Sequence, residues 1–350
     1  MDYSNIIKLI SNDFNSSFNT SVEIKYDSKE KIMQNNPHFK IGNSATGLYD
    51  TKSKTIYFFS DTIEKIREKN YGNEQYENDN GLTFLIFASF HELEHFIQIQ
   101  YPEKLRKQFK YAKPMYAIEK LILKIKQSDP DVIDFDYYKK HDNFLLEIDA
   151  DIKGKNNAVG FIKYHGITGI NLRYFDLMQS YNDFRINNYD IPMMLHQFIK
   201  IIKKYPDILK SKAWLDCDQL IQFFNQDGTV KPINELMSIQ SDLTPYFVSS
   251  ISCIYSLNDK PINEEQIQFI NACLEQVIDE HEEKQKKLTE FSNINDVVTE
   301  LKNYTQVNGN NSKSTEYMAN ENYYNYIRDV QNRLQDIYIE RNMVESGYGK

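Results

Sequence analysis

The sequence predicts an α+β protein: a small β-sheet near the N-terminus, two buried helices after it, and a mainly helical remainder. Three patterns carry that reading. "SVEIKY" from Ser21 alternates, and "ATGLYDTKSKTIYFF" holds two β-rich segments separated by a polar turn. The apolar run Gly81 to Gln100 is too long for a buried strand. Beyond Gly169, apolar residues recur at spacings of three and four.

Each element follows from its residues. Val22, Ile24 and Tyr26 share one face of a half-buried strand. Ala45 to Asp50 and Thr55 to Phe59 form a hairpin across Thr51 to Lys54, and the Asn-rich interval Asn70 to Asn80 reads as a loop. Gly81 to Gln100 is apolar on nearly every side, which predicts a core helix ended by Pro102. Pro114 suits the first position of a second helix, "MYAIEKLILKIKQ". A third contains "NFLLEIDADIKGKNNAVGFIKY". Ile267, Ile270, Leu274, Val277 and Ile278, then Tyr323, Ile327, Val330, Leu334 and Ile337, are packing stripes, and "NGNNSKSTE" from Asn308 is a linker.

Composition narrows the function. At 350 residues the length suits about two domains. The net charge of -9 argues against nucleic acid as the main partner, because phosphate binding needs a concentrated basic surface. The one basic stretch, "KLRKQFKYAK" from Lys104, reads as a solvated helix face. No apolar run reaches the roughly 18 residues of a membrane span, and Lys8 interrupts the only N-terminal apolar patch. Cys217, Cys253 and Cys273 are odd in number and lack CxxC spacing, so a cytoplasmic protein without a disulfide framework is expected.

One segment does not fit an ordinary core. "FASFHELEHFIQIQ" places His91, Glu92, Glu94 and His95 inside the apolar run, where unpartnered polar groups cost roughly 1 to 3 kcal/mol each. His91 and His95 form an HExxH pattern, whose imidazoles share one helical face and suit a single Zn²⁺ ion. Glu92, beside the first ligand, would reach a water as general base. Glu94 points elsewhere and reads as structural.

A catalytic zinc needs a third protein ligand. Gln98 and Tyr101 exclude the extended HExxHxxGxxH form. Glu147 in "FLLEIDADIKG" is the preferred candidate, a carboxylate among Leu145, Leu146, Ile148 and Ala150; Asp149, Asp142 and His141 are its rivals. Asp151, four residues after Glu147, could accept a ring N–H from a zinc-bound histidine. Tyr164 and His165, which follow on the same helix, are the candidates for stabilising a developing oxyanion. His38, His196 and His281 belong to no pattern.

"HELEH" followed by "EIDAD" resembles the HExxH plus ExxxD pattern of the gluzincin metallopeptidases. The hairpin before "FHELEH" is similar to that of the compact ImmA/IrrE-like members, over about Ser21 to Gly169. The resemblance implies a zincin-like fold with His91, His95 and Glu147 on zinc, Glu92 as base and Asp151 behind the ligands. It also implies a substrate backbone held along a sheet edge, with Thr55 to Phe59 as the candidate strand. The interval between "HELEH" and "EIDAD" is longer than in the compact relatives, and no family resemblance extends to the C-terminal half.

The expectation is therefore a zincin-like peptidase domain over 1–169 and a helical accessory or regulatory region over 170–350. Its partner is a peptide or protein substrate, with no nucleic acid and no membrane. The alternative is a non-catalytic regulatory or interaction protein on a peptidase-like fold, against which the intact Glu92 weighs.

Overall fold

The computed structural model describes residues 3–39, 45–50, 52–70, 78–101, 112–126, 128–129, 131–133, 141–207, 218–254, 262–305 and 321–345. The basic stretch from Lys104, the linker from Asn308, Cys217 and most of the Asn-rich interval lie outside them.

In chain order the main elements are α1 (Ser4–Phe18), β1 (Glu23–Asp27), α2 (Lys29–Asn35), β2 (Gly47–Asp50), β3 (Thr55–Phe59), α3 (Ser60–Asn70), α4 (Asn80–Gln100), α5 (Ala112–Lys126), α6 (Leu145–His165), α7 (Leu172–Asn188), α8 (Ile191–Lys204), α9 (Thr244–Ile254), α10 (Glu264–Leu288), α11 (Ile294–Thr305) and α12 (Glu321–Glu345). Among the described residues the protein is mostly helical with one small mixed sheet, an α+β fold. Among the described residues no helix is long and apolar enough to cross a membrane.

The chain packs as two compact units, each made of separate stretches: Met1–Arg106 with Leu146–Ile186 and Ser292–Thr315, and Lys107–Leu145 with Asn187–Phe291 and Glu316–Lys350. These units are divisions of packing and are made of other stretches than the domains 1–169 and 170–350 expected from the sequence. Both motif segments, 91–95 and 147–151, lie in the first unit.

In that unit the sheet order is β1-β3-β2, with β1 parallel and β2 antiparallel to β3. The predicted hairpin is therefore present. Its turn is held by Asp50, which accepts bonds from the Ser53 hydroxyl at 2.6 Å and Lys52 N–H at 3.1 Å. All five residues of β3 are buried, as a strand covered on both faces requires. This corrects the substrate-strand expectation: Thr55–Phe59 is central, its ladders occupied on both sides, and the edges belong to β1 and β2. On the β1 side, Asn15 of α1 bonds both N and O of Val22, at 2.8 and 3.0 Å, pinning the chain as it enters the sheet.

Helix α4 forms where the apolar run predicts it. Asp79 caps it by accepting from Leu82 N–H at 2.9 Å and is itself held by the Tyr3 hydroxyl at 2.8 Å. Behind that cap, Asn171 donates to Asn80 at 2.8 Å and to Thr83 at 2.9 Å. The start of α4 is thus fixed by its own cap and by two distant segments, at Tyr3 and Asn171, and its buried length carries the HExxH pattern inward.

The second unit is helical. The Ile267-to-Ile278 stripe is buried along α10, and the Tyr323-to-Leu334 stripe along α12 with Ile337 half-buried. Helix α5 begins at Ala112, two residues before Pro114, so the proline occupies the first turn rather than the first position, where its missing N–H is equally harmless.

Candidate metal centre

Helices α4 and α6 run antiparallel across each other in the first unit and carry the site. Their crossing is unusually close at Gly154, where a Cβ would stand 2.9 Å from the backbone nitrogen of His91 and 3.0 Å from its Cα. Only a residue without a side chain permits that approach. The crossing brings together side chains more than fifty residues apart in the chain.

His91, His95 and Glu147 each turn a ligand atom to one point, all within 4.8 Å of one another, and could hold a metal ion. The two Nε2 atoms are 3.0 Å apart, and the Glu147 carboxylate lies 3.4 Å from His91 Nε2 and 3.3 Å from His95 Nε2. A four-coordinate ion holding N and O ligands at about 2.0 to 2.1 Å needs them roughly 3.3 Å apart. The observed spacings fit such an ion.

The opposite ring nitrogens are held from behind. His91 Nδ1 lies 2.7 Å from Asp151 Oδ1, and His95 Nδ1 lies 2.9 Å from Gln98 Oε1. With both Nδ1 atoms donating, the Nε2 lone pairs are free to face the common point. Gln98 is anchored in turn, its Nε2 donating to the Leu146 carbonyl at 2.9 Å. Asp151 is anchored by Arg185 of α7, which also bonds Asn182. The Arg185 side chain is 1% exposed and stacks over the Tyr181 ring at 4.4 Å.

The electrostatics match this arrangement. Burial opposes charge on His91, yet Asp151 and Glu147 outweigh it and hold its pKa well above the usual imidazole value. His95 is raised against burial by Glu147, with Glu92 adding to the effect. Burial would raise Glu147, but the two histidines take it well below the ordinary carboxylate range. Asp151 is lowered despite its burial, by Arg185 first and His91 second. Without metal, each of these shifts favours a charged imidazole beside a charged carboxylate.

The other sequence candidates fall into place around it. Glu92 is half-buried beside His91, close enough to act on His95 electrostatically. Glu94 is structural, as expected: buried, it pairs with Lys153 of α6 at 2.6 Å. Of the rival ligands, Asp149 is 3.1 Å from the same lysine and Asp142 is exposed, while the His141 side chain lies outside the described residues.

Tyr164 and His165 are not brought to the site. They end the helix that Glu147 begins, seventeen and eighteen residues on, which places them about 25 Å away along its axis. Tyr164 is 83% exposed, and His165 Nε2 pairs with Asp13 of α1 at 2.6 Å. Neither can stabilise charge developing at the cluster.

Two residues of the site stand outside the sequence motifs. Gln98 had a usable signal: it is polar, buried and three residues after His95 on the same helical face. Arg185 had none, since it lies thirty-four residues beyond Asp151 in a segment without chemical pattern. No protein-family profile matches the chain, and neither a curated protein nor a solved structure does.

Proposed function

We propose that this chain is a zinc-dependent peptidase of the gluzincin type. The observation that carries the reading is the convergence of His91 Nε2, His95 Nε2 and Glu147 at tetrahedral ligand spacing, with Asp151 and Gln98 orienting the two rings. A zinc ion held by these side chains would polarise a carbonyl oxygen and lower the pKa of water to about 7. Two histidines with one carboxylate form the donor set of a hydrolytic rather than a closed structural zinc site.

The chain's own groups supply the rest. The Glu92 carboxylate, on the helix that carries both histidines, takes the proton of the attacking water and returns it to the leaving amine nitrogen. Asp151 and Gln98 keep the ligand lone pairs aimed inward. The edge strand β2, whose Tyr49 ring packs 6.2 Å from the Phe96 ring of α4, is the strand suited to hold an extended peptide by backbone bonds.

Glu92→Gln tests this reading. The substitution keeps size and fold but removes the base, so zinc content should persist while peptide hydrolysis falls by a factor of about 10² to 10⁴. The comparison uses wild type and variant at matched zinc occupancy on a peptide library. Cleavage by wild type alone supports the peptidase. Equal behaviour of the two proteins would reject the mechanism and favour a binding protein on the same fold.

A further inference from the structure

We infer that Lys153 is a positioning residue for the metal ligands: clamped between Glu94 and Asp149, it fixes the rotation and separation of the two helices that carry His91, His95 and Glu147. The inference rests on the metal-binding reading above and concerns the opposite flank of the same helix crossing.

The crossing of α4 and α6 has three levels. His91 meets Gly154 through backbone contact, Glu94 meets Lys153, and Gln98 meets the Leu146 carbonyl. Residues 91, 94 and 98 lie along one face of α4, while their partners descend α6 from 154 to 146. One outer level is a close backbone approach, which fixes distance but resists rotation weakly, and the other is a single neutral hydrogen bond from the Gln98 side chain to a backbone carbonyl. The middle level is ionic: Lys153 Nζ is 2.6 Å from Glu94 Oε1 and 3.1 Å from Asp149 Oδ2.

At about 100° per residue, Asp149 and Lys153 project from the opposite flank of α6 to Glu147 and Asp151. One side of the seam therefore carries the ligands and the other carries the clamp. A roll of α6 about its axis would swing Glu147 away from the histidines, and it would have to pull Lys153 off Glu94 to do so.

The chemistry of the clamp supports a geometric role. Glu94 and Asp149 are 2% and 3% exposed at the side chain, and Lys153 is 18% exposed. Three charges so placed lose much of their hydration, and a well-packed apolar trio would hold two helices together at least as well. What an ionic clamp adds is direction, because the ammonium hydrogen-bonds its acceptor only over a narrow range of helix rotation.

The test is metal binding and ligand geometry rather than turnover. Lys153→Met alone would strand two buried carboxylates, so the informative protein is Lys153→Met with Glu94→Gln and Asp149→Asn, which removes the clamp without leaving buried charge. Zn²⁺ affinity, by competition with a chelator, should fall roughly 10- to 100-fold. The visible bands of Co²⁺ bound in place of zinc should shift or lose intensity, reporting altered ligand geometry. Lys153→Arg, which keeps the bridging cation, should retain most of the affinity.

Should the triple variant fail to fold, Glu94→Gln alone releases α4 from the clamp and gives the same two readouts. If wild type binds zinc and the neutral variant matches it in affinity and cobalt spectrum, the clamp is mere packing and the inference is overturned. A loss with Lys153→Arg as large as that of the neutral variant would overturn it equally. If wild type itself binds no metal, the metal reading fails and this inference fails with it.

Discussion

Both compact units bury acids against donors, but the first also turns several acceptors toward one another. In the second unit each buried acid meets donors: Glu119 accepts from Leu145 N–H and the Tyr189 hydroxyl, both at 2.7 Å, and Asp190 accepts from Met193 N–H at 3.0 Å and the Tyr324 hydroxyl at 2.7 Å. Those bonds tie helix ends together. In the first unit, two imidazole Nε2 atoms and a carboxylate face one point, and once deprotonated all are acceptors. Only a cation, proton or metal, reconciles them. Polar burial alone therefore does not mark a site, whereas a convergence of acceptors does.

The largest effect expected from this contrast comes from exchanging one acid in each unit. Glu147→Ala should weaken zinc binding by more than about 10²-fold, beyond the loss typical of residues behind the ligands. Glu119→Gln should lower the unfolding midpoint while leaving zinc affinity unchanged. Chelator competition on both variants checks this. Comparable zinc loss from the two would erase the distinction between the units.

Next in size are the groups behind the ligands. Asp151→Asn should weaken zinc binding about 10- to 100-fold, since the amide can still accept from His91 but no longer carries the charge that supports it. Arg185→Met should fall in the same range by releasing Asp151 from its anchor. Full affinity in both would show that His91 needs no fixed partner.

How far this was legible in the sequence follows from which interactions are local. His91 and His95 are fixed by helical spacing, and Glu147 stood out because its neighbours are apolar. β3 is legible as a strand, but its central position depends on pairing with the distant β1, Glu23 opposite Thr55. Tyr164 and His165 misled because closeness in sequence is distance on a straight helix. Arg185 was invisible because a buried arginine is recognisable only by the acid it meets, and Asp151 reaches it through tertiary folding alone. The clamp of Glu94, Lys153 and Asp149 was hidden likewise, although Asp149 and Lys153 are one helical turn apart.

The pH response sharpens the comparison further. His91 and His95 are raised above the imidazole value of 6.5, so the stability they lend the metal-free protein is complete below that pH and is lost as pH rises through their folded values. Glu147 is lowered from 4.5, so its contribution is present above that pH and is lost as pH falls through its folded value. The metal-free cluster should thus stabilise the fold most between about 4.5 and 6.5. Zinc must displace the same protons, so its affinity should drop on acidification by up to roughly tenfold per pH unit for each proton released. Thermal unfolding with and without zinc across pH 4 to 9 measures both trends. A zinc affinity independent of pH would remove the histidines from the ligand set.

The smallest effect on the metal is expected from Tyr324→Phe, which probes the second unit's way of using buried polarity. The hydroxyl donates to Asp190 at 2.7 Å, while the ring stacks on His281 with centroids 3.4 Å apart and planes 12° from parallel. Phenylalanine preserves the stack and removes one bond to a charged acceptor, a loss of about 1.5 to 3 kcal/mol. Asp190 keeps its bond from Met193 N–H and the Lys284 ammonium at 3.9 Å, so its charge is not stranded. The denaturant midpoint should therefore fall by the same amount in zinc-free and zinc-saturated protein, with zinc affinity unmoved. A midpoint shift that depended on zinc would mean that this network also serves the metal, and the division between structural and ligand-binding polar interiors would fail.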